Sequence, residues 1–305
     1  MGNPDFAVSA LEKLASNYRI VAVVSNPPQK MGRGKRIRET EIAIKAKSMG
    51  LNVIQERDLK SSHFLRKLEQ LDADLFVVVA FRILPKSLIT IPKLGSINLH
   101  GSLLPAYRGA APIQWALING DEETGLSTFY IAPKVDAGAV ICQHSLPIYP
   151  NDNYGTLSER MGILGSDLLI KTINLIKSKA VRPIKQNDNQ ATLAPKITKD
   201  MTTIDWSKPA IELHNFVRGL TPVPGAVTRI NGKRIKIQET RVDNNDNGSN
   251  YLPGEIIAIE KSIVVVQTGK GYLIISRVQL EGKKTMDIKS FMNGYTLNIG
   301  ERFGH

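Results

Sequence analysis

The stretch Gly95-Ser96-Ile97-Asn98-Leu99-His100-Gly101-Ser102-Leu103-Leu104-Pro105 is the most informative part of this chain. Its first half is an apolar, strand-like run, and its second half breaks into a Gly/Ser/Pro loop. Because side chains alternate along a strand, Asn98 and His100 share one face at the strand end. Open α/β sheets place their sites at such ends. Together with the later Asp136, these two residues favour transfer of a group to an external nucleophile over a covalent enzyme intermediate.

The composition is that of an ordinary globular protein with a strong positive charge. The 305 residues are 42% hydrophobic and carry a formal net charge of +12. No apolar run approaches 18 residues and the first 20 residues lack a signal pattern, so a cytoplasmic protein without a membrane segment is expected. The single cysteine, Cys142, lies in an apolar run and is expected to be a core residue that forms no internal disulfide.

The positive charge is concentrated in two segments. Residues 26–47 hold seven basic side chains against two acidic ones, and residues 171–199 hold seven against one. Solvated surface is one interpretation of these segments. Contact with a nucleic acid is the other, and the glycine-containing loop within the first segment favours it.

The order of apolar patterns predicts two domains. Through residue 181, short β-branched runs alternate with helix-length segments, which is typical of a Rossmann-like, mostly parallel sheet covered by helices. The strands are expected at 18–25, 53–54, 74–80, 95–99, 126–131 and 139–144, and the helices at 6–17, 39–49, 61–71, 109–119 and 156–178. Residues 182–200 are polar and aperiodic and are expected to form a basic linker.

Residues 201–305 have a different pattern. After a short helix at 209–219, five strand-length runs follow at 226–230, 234–239, 255–259, 263–267 and 272–278. Short strands separated by Gly/Asn turns predict a small OB-like β-barrel. The chain is therefore expected to have an α/β domain followed by this barrel.

The first five residues, Met1-Gly2-Asn3-Pro4-Asp5, look like the turn that follows a strand, although no strand precedes them. We expect either that the natural start lies upstream or that the sheet lacks a strand it would normally have. A missing inner strand leaves neighbouring backbone groups unpaired. An N-terminally extended chain is therefore expected to be more stable and more active.

Several further segments carry a resemblance to a known family. They are residues 2–7, Gly32-Arg33-Gly34-Lys35, residues 79–85 (Val-Ala-Phe-Arg-Ile-Leu-Pro), residues 107–114 (Tyr-Arg-Gly-Ala-Ala-Pro-Ile-Gln), Asp136-Ala137-Gly138 and residues 282–286 (Gly-Lys-Lys-Thr-Met). With the opening stretch, they resemble the methionyl-tRNA formyltransferase family of folate-dependent formyltransferases over nearly the whole chain. The Asn-x-His and Ser-Leu-Leu-Pro signals indicate folate-dependent formyl transfer but do not identify the acceptor. The basic loop early in the chain and the C-terminal domain indicate that the acceptor is an aminoacyl-tRNA.

The resemblance implies a reaction and its substrates. The α-amine of methionine on initiator tRNA attacks the formyl carbon of 10-formyltetrahydrofolate, giving N-formylmethionyl-tRNA for translation initiation. The resemblance gives domains at 1–181 (catalytic) and 201–305 (tRNA-binding). No metal is expected, because the remaining histidines share no metal-ligand spacing. The protein is expected to be a monomer.

The resemblance also implies roles for the three polar residues. Asn98 donates to the oxyanion that forms at the formyl group. His100 either stabilises the same oxygen or shuttles the proton of the amine. Asp136 orients or charges His100, or holds a relay water.

Two loops are expected to contact the folate. The contact residues are Ser102, Leu103, Leu104 and Pro105 after the Asn98 strand, and Phe81, Ile83 and Leu84 after the preceding one. An ordinary buried corner between strand and loop remains an alternative for single side chains there. Arg108 is expected near the site, either as a functional neighbour or as a structural ion pair.

The loop 29–38 is expected to contact the tRNA acceptor stem. The candidates are Arg33, Lys35, Arg36 and Arg38 in this loop, and Lys283 and Lys284 in the C-terminal domain. Its Gly-Arg-Gly-Lys is not a phosphate-binding P-loop, because the spacing is different. Lys283 and Lys284 as a solvated turn are an alternative.

Two other functions stay open at this point. Other enzymes with the same catalytic domain formylate glycinamide ribonucleotide or sugar amines, or deformylate the folate, and an acceptor assay distinguishes them. A tRNA-binding protein without catalysis is the rival from another class, and the intact Asn98, His100 and Asp136 set argues against it.

Overall fold

The chain forms two compact units. The computed structural model describes residues 1–2, 6–31, 36–243 and 251–304. The first unit consists of Met1–Pro112, Glu123–Pro147 and Ser158–Pro195, and the second of Ile113–Glu122, Ile148–Leu157 and the chain from Lys196 on. The residues expected to be a linker therefore belong to the first unit as far as Pro195. None of the described helices is long and apolar enough to cross a membrane.

Helices and short strands alternate up to residue 195. The helices are α1 (Phe6–Asn17), α2 (Glu41–Ser48), α3 (Ser62–Gln70), α4 (Lys86–Ile89), α5 (Pro112–Asn119) and α6 (Tyr154–Lys177). The strands are β1 (Val23–Ser25), β2 (Gln29–Met31), β3 (Arg36–Arg38), β4 (Val53–Gln55), β5 (Phe76–Val79), β6 (Ser96–His100), β7 (Arg108–Gly109), β8 (Glu123–Tyr130), β9 (Val140–Pro147) and β10 (Leu193–Ala194). A 3₁₀ helix lies at Asp188–Gln190.

Local signals explain where these helices begin and end. The Thr40 and Ser61 side chains accept hydrogen bonds from the first turns of α2 and α3, which satisfies donors that a helix start leaves free. Gly50 follows α2 with φ +68°, a conformation in which a glycine is not strained.

The main sheets of the first unit are a two-stranded parallel sheet, β1-β4, and a four-stranded mixed sheet, β5-β6-β8-β9. β1 pairs in parallel with β4, and β5 pairs in parallel with β6. Gly2 forms a parallel bridge with Val79, and its N–H donates to Val24 O. β6, β8 and β9 then pair antiparallel. The expected Rossmann-like parallel arrangement is thus present, with an added antiparallel hairpin.

Two local expectations need correction. The strand expected at 18–25 begins only at Val23. The segment expected to be a plain loop at 26–38 contains the hairpin β2–β3, in which Gln29 pairs with Arg38.

The second unit is built on one antiparallel sheet. Its strands are β11 (Ala226–Ile230), β12 (Lys233–Asp243), β13 (Ile256–Ile259), β14 (Val264–Gln267), β15 (Tyr272–Leu280) and β16 (Met286–Asp287), with α7 (Ala210–Leu220) and α8 (Ile288–Met292). The order is β11-β12-β15-β14-β13, with β16 beside β15. All five strands expected here are confirmed. Among the described residues β11 and β13 do not pair, so the OB-like barrel stays a prediction.

Candidate active site

The strand β6 carries two of the candidate residues on one face. Asn98 lies opposite Val78 of β5 and Phe129 of β8, so it is in an inner strand of the sheet. Its Oδ1 is buried and has no hydrogen-bond partner among the described residues. An unpaired buried polar atom costs free energy, and such atoms in a folded protein call for a functional explanation.

His100 is fixed at the end of β6. Its side chain is only 6% exposed, and its Nε2 lies 2.9 Å from the carbonyl oxygen of Tyr107. Because a carbonyl only accepts, this contact places a proton on Nε2. The ring also meets Phe129 edge-on, at 6.5 Å between centroids. The other nitrogen, Nδ1, lies 3.9 Å from Asp136 Oδ2. The structure thus brings His100 and Asp136 close together.

Asp136 lies in the loop between β8 and β9, and the backbone holds it there. Its φ is +49°, a left-handed conformation that Asp tolerates better than most residues. Its Oδ2 accepts a hydrogen bond of 2.9 Å from the backbone N–H of Gly109. Two residues on, a Cβ at Gly138 would lie 1.7 Å from the carbonyl oxygen of Tyr130, so only glycine fits. The carboxylate is therefore held by its loop as well as by its hydrogen bond.

Gln186 supports this loop, and sequence reasoning missed it. Its Nε2 donates to Asp136 O at 2.8 Å and to Gly138 O at 2.7 Å. Its Oε1 accepts two hydrogen bonds from the buried guanidinium of Arg108, at 3.0 and 2.7 Å. Gln186 is 8% exposed although it lies in a polar segment. Gln186 therefore connects its own segment with Arg108 and with the loop that carries Asp136.

Arg108 forms an ion pair with Asp188 and also lies next to the site, where it binds Gln186. Its Nη1 lies 2.8 Å from Asp188 Oδ1, and Lys134 Nζ lies 2.6 Å from Asp188 Oδ2. Hydrogen bonds from Lys134, and then from Arg108, hold the pKa of the Asp188 carboxyl below its usual value. The strand β10 pairs in parallel with β7, which holds Arg108 in place from the other side.

The loop after β6 is a tightly bonded turn. Ser102 Oγ donates to Ala106 O at 2.6 Å, and the Ser102 carbonyl accepts from Ser127 Oγ at 2.7 Å. Leu104 is buried against Phe129 and Val140. Leu103 and Pro105 are half-buried. The Ser102 hydroxyl hydrogen is therefore used inside the loop, and the hydroxyl can contact a ligand only by accepting a hydrogen bond.

The segment after β5 presents one apolar side chain to solvent. Ile83 is 74% exposed, whereas Leu84 is buried and Phe81 is half-buried in the core of the first unit. Because β5 and β6 are parallel neighbours, the segments that follow them leave the same edge of the sheet. An exposed Ile that follows β5, and an unpaired amide oxygen in the neighbouring strand β6, suit a ligand with an apolar ring and a polar group.

The basic candidates are only partly described. Arg33 and Lys35 lie outside the described residues, as does the side chain of Arg36. Arg38, Lys283 and Lys284 are exposed. Cys142 is half-buried in β9 and forms no disulfide. Within the described ranges, no three His, Cys, Asp or Glu side chains lie close enough together to hold a metal ion.

Comparison with known proteins gives two family matches. Residues 2–173 match the family described as formyl transferase, and residues 196–296 match the formyl transferase C-terminal domain. A methionyl-tRNA formyltransferase of Agathobacter rectalis is 40% identical over 305 residues, covering 99% of this chain and 98% of the relative. One from Porphyromonas gingivalis is 42% identical, covering 98% and 95%.

A solved structure shows the same fold. It is an N-formyltransferase from Helicobacter canadensis in complex with folinic acid and dTDP-3-aminofucose. The TM-score is 0.65 at 22% identity, and the match covers 92% of this chain and 97% of that one. At this level of identity the likeness concerns the fold alone.

Proposed function

This chain belongs to the formyl transferase family, and from that premise we propose that it transfers a formyl group to the α-amine of methionyl initiator tRNA. The observation that carries the proposal is the identity of about 40% with methionyl-tRNA formyltransferases over nearly the full length of both chains. The match includes both units, so the acceptor-binding part is covered as well as the catalytic part.

The formyl donor is a reduced folate, 10-formyltetrahydrofolate. It supplies the formyl carbon, and tetrahydrofolate and N-formylmethionyl-tRNA are the products. The exposed Ile83, which follows β5, and the loop Ser102–Pro105, which follows the Asn98 strand, offer apolar and backbone surface that suits a flat heterocycle. The protein acts as a monomer in the cytoplasm, and the reaction needs no metal.

Asn98 stabilises the charge that develops during the reaction. The amine of an aminoacyl ester has a pKa below that of a peptide α-amine, about 7.7–8.0, so it is largely neutral at physiological pH. Activating it is therefore a small problem, and most of the barrier is the negative charge that grows on the formyl oxygen. The Asn98 amide N–H₂, on an inner strand of the sheet, donates to that oxygen. One such donor contributes about 2.7–4 kcal/mol in comparable sites.

His100 and Asp136 manage the proton that the amine loses. With Nε2 donating to Tyr107 O, the free position on the ring is Nδ1, which faces Asp136 at 3.9 Å. A proton on Nδ1 places a positive charge beside the Asp136 carboxylate, which is a favourable pair in a buried site. The gap of 3.9 Å is too long for a direct hydrogen bond, so the two groups interact through their charges.

The decisive experiment measures formylmethionyl-tRNA after mixing the protein with 10-formyltetrahydrofolate and methionyl initiator tRNA. The Asn98→Ala variant is expected to lose about 10²–10³ in kcat, because one oxyanion donor is gone. Its Tm is expected to stay unchanged, since Oδ1 of Asn98 has no partner to lose. Asn52→Ala, an exposed asparagine of the same unit, is the matched control and keeps full activity.

Two results would contradict the proposal. An Asn98→Ala variant with more than about a tenth of the wild-type kcat would remove Asn98 from the oxyanion role. Formylation of an amino-sugar nucleotide but not of methionyl-tRNA would show that the acceptor is wrong.

The salt dependence of tRNA binding tests the basic residues. Binding through phosphates weakens with salt, with a slope of log K against log[salt] that grows by about 0.7–0.9 per phosphate contacted. Arg38→Ala, and the double variant Lys283→Ala/Lys284→Ala, are expected to reduce this slope by about one contact per residue. Lys261→Ala, an exposed lysine outside the proposed contact residues, is the control. Equal slopes for all variants would place the tRNA elsewhere.

A further inference from the structure

Tyr107 has a backbone conformation that is unusual for a bulky side chain. Its φ is +58°, which lies in the left-handed region that aromatic residues rarely adopt. Such a conformation persists only where the surrounding structure holds it, and residues of this kind cluster at functional sites. The groups that hold the backbone of Tyr107, and those that its backbone holds in turn, therefore belong to one argument.

The backbone of Tyr107 connects Thr192 with His100. The N–H of Tyr107 donates to Thr192 Oγ1 at 2.8 Å, and the Tyr107 carbonyl oxygen lies 2.9 Å from His100 Nε2. The direction of both groups depends on the dihedral angles of Tyr107, so a bond that fixes its N–H also limits where its carbonyl points. Because the carbonyl only accepts, it keeps the proton of His100 on Nε2 and leaves Nδ1 to face Asp136.

Thr192 belongs to a distant segment that pairs with the chain after Tyr107. It lies directly before β10, 85 residues along the chain from Tyr107. Its carbonyl oxygen accepts from Arg108 N at 2.9 Å, and the carbonyl of Ala194 accepts from Ala111 N at 3.2 Å. Thr192 therefore accepts from two successive N–H groups, those of Tyr107 and Arg108, one with its side chain and one with its backbone.

The same strand contact also holds the carboxylate of the site. Gly109 has a φ of +132°, and a Cβ there would lie 2.4 Å from Ala194 O, so the two backbones touch. The N–H of Gly109 donates to Asp136 Oδ2 at 2.9 Å. The pair β7–β10 thus fixes the His100 ring through Tyr107 and the Asp136 carboxylate through Gly109. The separation of 3.9 Å between these two side chains depends on both contacts.

We propose that Thr192 is a positioning residue for formyl transfer. Its hydroxyl holds the Tyr107 carbonyl in place and thereby decides which ring nitrogen of His100 carries the proton. The part that concerns the reaction rests on the proposed function, whereas the part that concerns the tautomer of His100 does not. Thr192 is exposed, so a loss of its hydroxyl removes little packing and water can reach the released N–H. A merely structural role predicts a change in stability without a change at His100.

The test compares three variants with the original chain. Thr192→Val removes the hydroxyl acceptor and nearly keeps the shape of the side chain, whereas Thr192→Ser keeps the acceptor. Thr198→Val, at an exposed threonine a few residues further on, is the matched control. The ¹⁵N chemical shifts of the neutral His100 ring report its tautomer, and the signals are identified by their absence in His100→Gln. Tm, kcat and KM for methionyl-tRNA are measured on the same chains.

Thr192→Val is expected to give a mixture of the two His100 tautomers and to lower kcat by about 10-fold to 100-fold at unchanged KM. Its Tm is expected to change by less than about 2 °C. Thr192→Ser and Thr198→Val are expected to keep the proton on Nε2 and to keep full activity. An unchanged tautomer in Thr192→Val would overturn the proposal, whatever happens to kcat or Tm, and an equal effect of Thr192→Ser would overturn the role of the hydroxyl.

The two readouts separate this proposal from the proposed function. A changed tautomer with an unchanged kcat would overturn the positioning role in the reaction. If the original chain itself does not formylate methionyl-tRNA, the proposed function fails together with that role. The ¹⁵N shifts of the free protein still decide whether Thr192 sets the tautomer of His100.

Discussion

Gln186 is the residue that ties the catalytic candidates to the rest of the first unit. It donates two hydrogen bonds to the backbone around Asp136 and accepts two from Arg108. Its substitution by Glu keeps the acceptor for Arg108 but replaces both donors with a carboxylate facing two carbonyl oxygens. We expect kcat to fall by up to about 100-fold while KM for tRNA stays the same, because a shift of about 1 Å in a catalytic group has an effect of this size. Steady-state kinetics of Gln186→Glu measure it.

The control for this variant is Gln190→Glu, since Gln190 is an exposed glutamine in the same segment. Equal kcat for both variants would show that Gln186 plays no part in placing Asp136. Strand alternation and family resemblance mark Asn98, His100 and Asp136 as candidates, and their roles stay a prediction. The sequence could not predict Gln186, because nothing in a polar, aperiodic segment signals a side chain that is buried 50 residues away from the loop it holds.

At the scale of elements, the loop between β8 and β9 depends on close packing at Gly138. A Cβ there would lie 1.7 Å from Tyr130 O, so Gly138→Ala must displace the loop that carries Asp136. We expect a loss of several degrees in Tm together with a loss of activity, measured by thermal unfolding and the formyl transfer assay. Gly162→Ala is the matched control, because its nearest neighbour is 3.7 Å away and it lies inside α6. Alanine there is expected to be neutral or to add up to about 1 kcal/mol. Equal stability of the two variants would contradict the tight loop.

The sequence pattern predicted the bounds of some elements to the residue and missed others. The bounds of α1 and β11 agree with the sequence pattern. The strand expected from Tyr18 starts late, because its partner β4 is only three residues long and pairs with Val23–Ser25 alone. The hairpin β2–β3 was missed because its segment is rich in Pro and Gly and shows no alternation, so only its pairing reveals it.

At the scale of the whole molecule, the two units are not two continuous stretches. Residues 113–122 and 148–157 belong to the second unit although they lie within the range expected for the first. Local pattern could not reveal this, since it identifies an element but not the core into which the element packs. The prediction and the structure agree on a parallel sheet followed by antiparallel strands. This agreement rests on the sequence periods of two and 3.6 residues, which are local to each unit.

The buried amine of Met1 links the stability of the molecule to pH. Burial lowers the pKa of this amine to about 5, against 8.0 for an ordinary amino terminus. Between pH 5 and 8 the unfolded chain therefore binds more protons at this amine than the folded one, so the amine's contribution to stability rises with pH through this window and is constant outside it. The full change is about 4 kcal/mol. Urea unfolding from pH 5 to 8, followed by far-UV circular dichroism, measures it, with an intact mass that verifies Met1.

Two controls separate this effect from the rest of the chain. Burial, and then the charge of Arg218, lower the pKa of His214 in the second unit. This shift also makes the free energy of unfolding rise with pH. The His214→Gln variant removes the contribution of His214. Nα-acetylation of Met1 keeps the N–H that donates to Val77 O but removes the titrating group, so the remaining slope should disappear. If the acetylated chain keeps the same slope as the free one, the amine is solvated rather than buried, and its hydrogen bond to Val77 O is not formed as described.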